Sequence, residues 1–223
     1  MFRALALWLT AVTAAAQPAP SPAPQGYQSS VAQLPASVRI DLKKRKFWSA
    51  KCPVGLSSLR VLTVSYIGFD GRPHTGQMVV NEAAAHPLAR AFHRLYAMRF
   101  PIHHMSLDQV YGSPSAYTPD HDPTASFQCR QAAASPCTGR KTTGSWSMHA
   151  YGLAVDLNPA ENPYIGCGQA HDPKTLTYSD RSHLRRGMIT PKVVTAFASA
   201  GWGWGGSWGG STKDYMHFSS TGH

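Results

Sequence analysis

The chain contains 223 residues, enough for one large domain or two small ones, and it carries a formal net charge of +10 at pH 7. This basic balance attracts polyanions, among them anionic surface polymers and nucleic acid. The densest basic cluster, Lys43–Lys46, is short and no nucleic-acid-binding motif accompanies it, so the sequence predicts no nucleic-acid partner. No segment after residue 16 is long and apolar enough to cross a membrane.

The first 16 residues have the organisation of a secretory signal peptide. A short positive start at Met1–Arg3 precedes an apolar run, which ends in an Ala-x-Ala cleavage site at Ala14–Ala16. Residues 17–35 begin with four prolines between Gln17 and Gln25, which favour an extended chain, and we interpret this segment as a Pro-rich tether. One domain then remains, at residues 36–223, and the leader predicts a secreted or cell-envelope protein.

The hydrophobic pattern of the domain begins with a β-hairpin. Leu59–Tyr66 alternates and is rich in Val and Leu, a turn follows at residues 69–72, and His74–Val80 returns as a second strand. Pro87–Met98 then predicts a helix that has its proline in the first turn. The apolar residues on one face of this helix are Leu88, Ala91, Phe92 and Leu95.

The second half of the chain predicts short strands separated by a long loop. Tyr111–Gly144 is polar and irregular, and because loops of that length are usually functional, Arg130 within it is a candidate site residue. Leu153–Leu157 and Tyr215–Phe218 are predicted strands. We therefore expect a single α+β domain in which a small antiparallel sheet carries the site and helices flank it.

One further helix is predicted between these two strands. Thr190 is a capping residue, Pro191 suits the first helical position, and Gly201 lies just past the expected end. The residues expected to face the core are Val193, Val194 and Phe197.

Two short segments carry the residues of a candidate metal site. His149 and Asp156 lie in Ser147–Asp156, while Asp214 and His217 lie in Asp214–Phe218. Two imidazoles and one carboxylate make three protein ligands for one Zn²⁺ per chain, which leaves the fourth tetrahedral position for water. The spare carboxylate of Asp214 can serve as a general base on that water, so metal-assisted hydrolysis is the leading hypothesis.

The pattern around Asp156 supports its assignment as a ligand. Leu153, Val155 and Leu157 alternate with smaller or polar residues, so Asp156 is predicted to face away from these three aliphatic side chains. Seven positions separate His149 from Asp156, a spacing that suits a loop folding back over the end of the strand. Asp156 alternatively is a buried, hydrogen-bonded strand residue, which requires a partner in either case.

These segments resemble the zinc D-Ala-D-Ala carboxypeptidase and L-Ala-D-Glu endopeptidase family of bacterial cell-wall peptidases. The resemblance rests on Ser-x-His-x-x-Gly-x-Ala-x-Asp from Ser147 and on Asp-x-x-His from Asp214, and it extends from about Cys52 to Gly222. It includes a Phe-x-Cys-Arg segment that ends at Arg130. Some relatives carry Glu at the base position, and the shorter Asp arm requires a closer approach to the water.

The resemblance implies specific roles for these residues. His149, Asp156 and His217 would bind zinc, Asp214 would be the catalytic base, and Arg130 would hold the substrate or polarise its carbonyl. Ser147 and Trp204 are further candidate substrate contacts. Alternatives are a turn residue or an imidazole-orienting residue for Asp214, and a surface ion pair for Arg130.

The implied activity is that of a D-alanyl-D-alanine carboxypeptidase acting on peptidoglycan stem peptides. The alternatives are an L-Ala-D-Glu type endopeptidase of the cell wall and a non-catalytic wall-binding module with structural zinc. Retention of Asp214 argues against the last, because a structural site needs no base. For such a protein the polyanions are anionic cell-wall polymers, and we expect a monomer.

The remaining aromatic residues and histidines have weaker signals. Trp202, Trp204 and Trp208 either form an aromatic wall of a substrate cleft or pack within the fold, while packing is favoured for Tyr151 and Tyr164. Six of the histidines outside the motifs are singled out as exposed and away from the site; they are His103, His104, His121, His171, His183 and His223.

Four cysteines, none at CxxC spacing, predict two disulfides rather than a Cys-rich zinc site. Three connectivities are open. We prefer Cys52–Cys129 with Cys137–Cys167, because the first two lie in segments that resemble the family and the other two look like a local addition.

Overall fold

The computed structural model describes residues 26–112 and 122–223. The predicted signal peptide, the proline-rich residues 17–25 and His121 lie outside the described residues. Helices and small antiparallel sheets combine in one chain, which confirms the predicted α+β class. Within the described ranges, no helix has both the length and the apolar character required to span a bilayer.

The helices and strands of the described chain are mostly short. The α-helices are α1 (Ala36–Lys44), α2 (Glu82–Ala97), α3 (Leu107–Tyr111) and α4 (Pro191–Ala198). The strands are β1 (Ser29–Gln33), β2 (Leu59–Gly68), β3 (Pro73–Asn81), β4 (Pro101–Ile102), β5 (Gln131–Ala133), β6 (Thr142–Trp146), β7 (Ala154–Asp156), β8 (Tyr164–Gly166), β9 (Gln169–Ala170), β10 (Gly203–Trp204), β11 (Lys213–Asp214) and β12 (His217–Ser219).

The largest sheet is built on the predicted hairpin. Strand β2 pairs antiparallel with β3 on one side and with β1 on the other, and β4 joins its C-terminal end in parallel. Because successive strand side chains point to opposite faces, β2 contributes Leu62 and Val64 to a core beneath α2, and Leu59 and Val61 to a second core. The sheet therefore has a hydrophobic cluster on each face.

Strand β1 corrects the predicted end of the Pro-rich tether. Residues 29–33 were assigned to the tether, but they pair along β2 from Ser29–Val64 to Gln33–Arg60. Tyr27 anchors the entry to this strand, because its hydroxyl donates to the Ala89 carbonyl at 2.5 Å. Most side chains of β1 are exposed, so this edge strand is held mainly by backbone pairing. For the same reason its sequence has no apolar pattern that would predict a strand.

Helix α2 begins five residues before the predicted start. The side chain of Asn81 accepts a hydrogen bond from the Ala83 amide at 3.0 Å and caps a helix that starts at Glu82. Pro87 therefore lies inside the helix. The alanine-rich residues before Pro87 favour helix and form its first turn. The predicted face is confirmed, because Leu88, Ala91, Phe92 and Leu95 are all buried.

Helix α4 follows the prediction closely. Thr190 caps it by accepting a hydrogen bond from the Val193 amide, and Pro191 occupies the first position. Val193 and Phe197 are buried, and Val194 packs against the core from its edge. The Phe197 ring stacks on Phe218 of β12 with centroids 4.0 Å apart, so α4 supports the small sheet that carries the candidate site.

The long segment predicted as irregular contains a further hairpin. Strands β5 and β6 pair antiparallel, with Gln131 opposite Trp146 and Ala133 opposite Thr142, and the register shifts between these two pairs. Most of this hairpin lies inside the predicted loop, and only the end of β6 extends past it. The exposed side chains of β6 gave no period-2 signal. Arg130 therefore lies at the start of a hairpin, and not in the middle of an open loop.

Two disulfides join the loop-rich part of the chain, as predicted. Cys52 is bonded to Cys129 and Cys137 to Cys167, with Cα atoms 5.8 and 5.2 Å apart, and the described chain has no free cysteine. The first bond fixes the chain next to Arg130. The second connects the turn of the β5–β6 hairpin to the turn between β8 and β9.

Candidate active site

The structure brings His149, Asp156 and His217 together at the edge of the small sheet. The His149 Nε2 atom lies 3.1 Å from Asp156 Oδ2 and 3.2 Å from His217 Nδ1. The His217 Nδ1 atom is also 3.2 Å from Asp156 Oδ1. One potential ligand atom from each residue therefore lies within 4.8 Å of the other two, so the structure brings together the three residues of the two motifs.

The register of two strands explains why Asp156 and His217 meet. Strands β7 and β12 pair antiparallel, and His217 stands directly opposite Asp156 in the ladder. Cross-strand neighbours project on the same face, so an imidazole and a carboxylate are held side by side. On the opposite face, Val155 and Phe218 pair with each other in the hydrophobic core. The alternation inferred around Asp156 is therefore confirmed.

A short 3₁₀ turn delivers His149 to the same place. Ser147 begins this turn, and its hydroxyl accepts a hydrogen bond from the His149 amide. Gly152 ends the turn in the left-handed region at φ 66°. A Cβ at this position would lie 2.6 Å from the Asn81 amide nitrogen, so only glycine allows the chain to fold back here.

The hydrogen bonding of His149 fixes the direction of its free lone pair. Its Nδ1 lies 2.6 Å from the Ser126 carbonyl, which only accepts hydrogen bonds, so Nδ1 carries the proton. Nε2 then presents a lone pair to the Asp156 carboxylate. Two lone pairs at this distance require a shared cation between them, either a proton or a metal ion. The Ser126 carbonyl was not identified from the sequence, because backbone acceptors leave no residue signal.

The three residues fit a tetrahedral zinc ion. Ligand atoms bound at about 2.0–2.1 Å in tetrahedral geometry are about 3.3 Å apart. The two imidazole nitrogens are 3.2 Å apart, and each lies 3.1 or 3.2 Å from a different oxygen of the Asp156 carboxylate, which is close to this value. A second observation supports a metal site. The other ring nitrogen of His149 donates a hydrogen bond to a backbone carbonyl, as metal-binding imidazoles usually do.

The two carboxylates of the site have opposite electrostatic environments. Burial by itself raises the pKa of Asp156, but the charge of His149 and hydrogen bonds from both imidazoles hold this pKa well below its usual range. The pKa of Asp214 is raised to about 7, chiefly by burial and to a smaller extent by the charge of Asp156, while the charges of His217 and Arg130 oppose the shift. Asp156 is therefore ionised, whereas Asp214 is poised to exchange a proton near neutral pH.

Asp214 is held beside the imidazoles by a separate pair of strands. In β11 it stands opposite Tyr164 of β8, which extends the sheet that continues to β9. Gly205 packs against it so closely that a Cβ there would lie 2.5 Å from the Asp214 carbonyl oxygen. The Asp214 Oδ1 atom is buried and has no hydrogen-bond partner within the described part of the chain.

Arg130 lies at the border of this site. Its carbonyl accepts a hydrogen bond from the Ser147 amide at 3.1 Å, which ties it to the first motif. Its guanidinium donates to Gln128 Oε1 at 3.0 Å and is close enough to Asp214 to lower the pKa of that carboxyl. The described guanidinium contacts are to an amide side chain and a carbonyl, which leaves this cation able to receive an anion.

The tryptophans divide between packing and the site. Trp202 is buried in the core, and Trp204 donates from Nε1 to the Tyr215 carbonyl at 2.8 Å while stacking on Phe218. These contacts give both residues a packing role, and a substrate contact by Trp204 stays a prediction. Trp208 instead lies beside a predicted ligand, because its ring centroid is 5.9 Å from that of His217.

The other histidines match the expectation only in part. His171 and His183 are exposed, as is the C-terminal His223. His103 departs from the expectation, because its side chain is only 23% exposed and its Nε2 lies 2.9 Å from Glu161 Oε1. These two partners are 58 positions apart in the chain, so no local sequence pattern indicates that they are in contact.

Comparison with known families agrees with the geometry. Residues 140–220 match the family model described as D-alanyl-D-alanine carboxypeptidase, and this segment contains both motifs. No curated protein and no solved structure matches the chain. The match supports a peptidase. Over the segment that holds His149, Asp156, Asp214 and His217, it confirms the predicted resemblance to the D-Ala-D-Ala carboxypeptidase and L-Ala-D-Glu endopeptidase family of cell-wall peptidases.

Proposed function

We propose that this protein is a secreted, zinc-dependent metallopeptidase that hydrolyses peptidoglycan stem peptides, and that it acts as a D-alanyl-D-alanine carboxypeptidase. The observation that carries this proposal is the convergence of His149, Asp156 and His217 next to the buried carboxylate of Asp214. The family match over the same segment supports it. The two disulfides support a non-cytoplasmic location, in the periplasm, the cell wall or the medium.

The metal-binding residues would be His149 through Nε2, His217 through Nδ1 and Asp156 through its carboxylate. A zinc ion bound there would supply a Lewis acid for the scissile carbonyl and would lower the pKa of a bound water. The chain itself orients the His149 ring through the Ser126 carbonyl, and it keeps Asp156 ionised.

Asp214 is the proposed general base. A base is most effective when its pKa lies near the working pH, and burial brings the pKa of Asp214 to about 7. Its carboxylate would accept a proton from the attacking water and return it to the leaving amine. Because Asp214 lies on β11 and the three ligands lie elsewhere, base and ligands are positioned by different strands.

Arg130 is the proposed substrate-binding residue. A guanidinium binds a terminal carboxylate through two parallel hydrogen bonds, and a free C-terminal carboxylate distinguishes a carboxypeptidase substrate from an internal peptide bond. Its position beside Asp214 supports this role. We therefore rank the carboxypeptidase ahead of the L-Ala-D-Glu type endopeptidase.

Mass spectrometry of peptidoglycan fragments incubated with the purified protein tests the proposal. A carboxypeptidase releases one terminal D-alanine from a pentapeptide stem, and the Asp214→Asn protein should leave the stem intact. Cleavage within the stem would replace the carboxypeptidase with the endopeptidase alternative. Zinc binding without cleavage of any stem would contradict the proposed enzyme and favour a wall-binding module.

A further inference from the structure

A second group of metal-binding side chains lies outside the proposed zinc centre. His103 follows β4, Asp122 precedes the segment that borders β7, and Glu161 lies in the loop after β7. The His103 Nε2 atom is 2.9 Å from Glu161 Oε1 and 3.8 Å from Asp122 Oδ2. We infer that these three residues form a second binding site, for a divalent transition-metal ion.

Burial of the carboxylates is the first argument. The side chains of Asp122 and Glu161 are 1% and 7% exposed, and two buried carboxylates this close together are costly without compensating positive charge. A divalent cation would balance both carboxylates and leave the imidazole neutral, which is the form that binds metal.

An unused acceptor belongs to the same group. The Oε2 atom of Glu161 is buried and has no hydrogen-bond partner within the described ranges. The outer atoms of the site are already fixed, because Asp122 Oδ1 accepts from the Ala160 amide at 2.7 Å and the His103 amide donates to Asn158 at 3.2 Å. The Phe69 ring stacks on the imidazole with centroids 3.5 Å apart and restricts its rotation.

The donor set selects the class of metal. Ca²⁺ and Mg²⁺ prefer oxygen ligands, whereas one imidazole with two carboxylates suits Zn²⁺ and related transition metals. The separations of 2.9 and 3.8 Å bracket the value of about 3.3 Å expected between tetrahedral zinc ligands. The partial exposure of His103, at 23%, offers a path for the ion and a position for water.

The expected role of this ion is to brace the proposed catalytic centre. Asp122 begins the segment in which Ala125 pairs with Asp156 and in which the Ser126 carbonyl accepts from His149. Glu161 lies five positions after Asp156 along the chain. An ion bound to both residues would join the two segments that hold the ligands in place.

Metal stoichiometry tests the inference independently of catalysis. The full chain, stripped with a chelator and dialysed against buffered Zn²⁺, should bind two equivalents by elemental analysis. Glu161→Gln keeps the shape of the side chain and should reduce this number to one, and His217→Ala should also leave one. Asp180→Asn is the matched control, because Asp180 is an exposed carboxylate that also contacts a histidine, His183, and it should leave two.

The variants separate this inference from the proposed function. If the wild-type chain binds one equivalent that His217→Ala removes and Glu161→Gln does not, the second site is absent while the proposed zinc centre stands. If the single equivalent is instead removed by Glu161→Gln alone, the second site stands and the zinc centre fails. A thermal melt provides a second readout, because added Zn²⁺ should still raise the melting temperature of His217→Ala but not that of a His217→Ala, Glu161→Gln double variant.

Discussion

Replacement of Asp214 by Asn should have opposite effects on activity and on the stability of the metal-free protein. The substitution removes the ionisable group and keeps nearly the same shape. A positioned general base contributes about 10²–10⁴-fold to turnover, so kcat should fall by that factor while zinc stays bound. The stability effect follows from the raised pKa of this buried carboxyl.

The magnitude and the pH range can be worked out from the two pKa values. Asp214 titrates at 3.8 in the unfolded chain and at about 7 in the folded chain, so the folded chain binds more protons between these values. The free energy of unfolding therefore falls as pH rises through this range. The total penalty is about 4 kcal/mol above pH 7, of which about 2.5 kcal/mol accumulates between pH 5 and pH 8.

Urea unfolding of the wild-type and Asp214→Asn proteins at pH 5 and pH 8 measures this pH-dependent contribution of Asp214 to the free energy of unfolding. A chelator is required, because a bound cation would itself change the pKa of the neighbouring carboxyl. The stability advantage of the variant should grow by about 2.5 kcal/mol between the two pH values. Any packing change made by the amide is independent of pH and cancels in this difference.

Asp156 does not interfere with this measurement. Its pKa is held below its usual range, so its contribution to stability is present above about pH 4 and is lost only as pH falls through the lower folded value. Asp180→Asn serves as the control, because Asp180 is exposed and its pKa is lowered. A stability difference between wild type and Asp214→Asn that is the same at both pH values would refute the reasoning.

Three further predictions follow from the same site and from the disulfides. His217→Ala should lose both the zinc of the proposed centre and turnover, as measured by elemental analysis and peptide hydrolysis, and retained activity would contradict its role as a ligand. Arg130→Lys should impair hydrolysis of free-ended stem peptides far more than of the same peptides with an amidated end, whereas equal impairment would favour the endopeptidase. Thiol titration of the denatured, unreduced protein should find no free thiol, and two reactive thiols per chain would contradict the disulfide pairing.

Local sequence patterns predicted the elements in which one face is apolar and buried or in which the helix start has a recognisable capping sequence. The β2–β3 hairpin and helix α4 follow from apolar periodicity and from a Thr-Pro helix start, and both occur where expected. Strand β1 was missed because its side chains are mostly exposed, and only its backbone pairs with β2. The start of α2 was misplaced because Pro87 normally marks a first turn, whereas Asn81 supplies the cap.

The site shows the same division between local and long-range information. The motifs singled out His149, Asp156 and His217 as candidate ligands, because their spacing resembles that of a family, and the structure brings these three residues together. The cross-strand register that places His217 opposite Asp156 depends on β12 pairing with β7 across 61 residues. The contact of His103 with Glu161 is equally remote and has no motif, so the sequence placed His103 on the surface.

The assignment of one carboxylate as ligand and the other as base depends on their surroundings more than on their residue type. Both Asp156 and Asp214 lie near His217, yet burial and neighbouring charge shift their pKa values in opposite directions. Two carboxylates whose environments separate their pKa values in this way can perform different tasks at one pH. Asp156, between two imidazoles, stays ionised as a ligand must, while Asp214, with a buried oxygen that lacks a described partner, takes up a proton near neutrality. With the two roles exchanged, the base would stay ionised and could not take up a proton near neutral pH, while the ligand would carry a proton that competes with the metal.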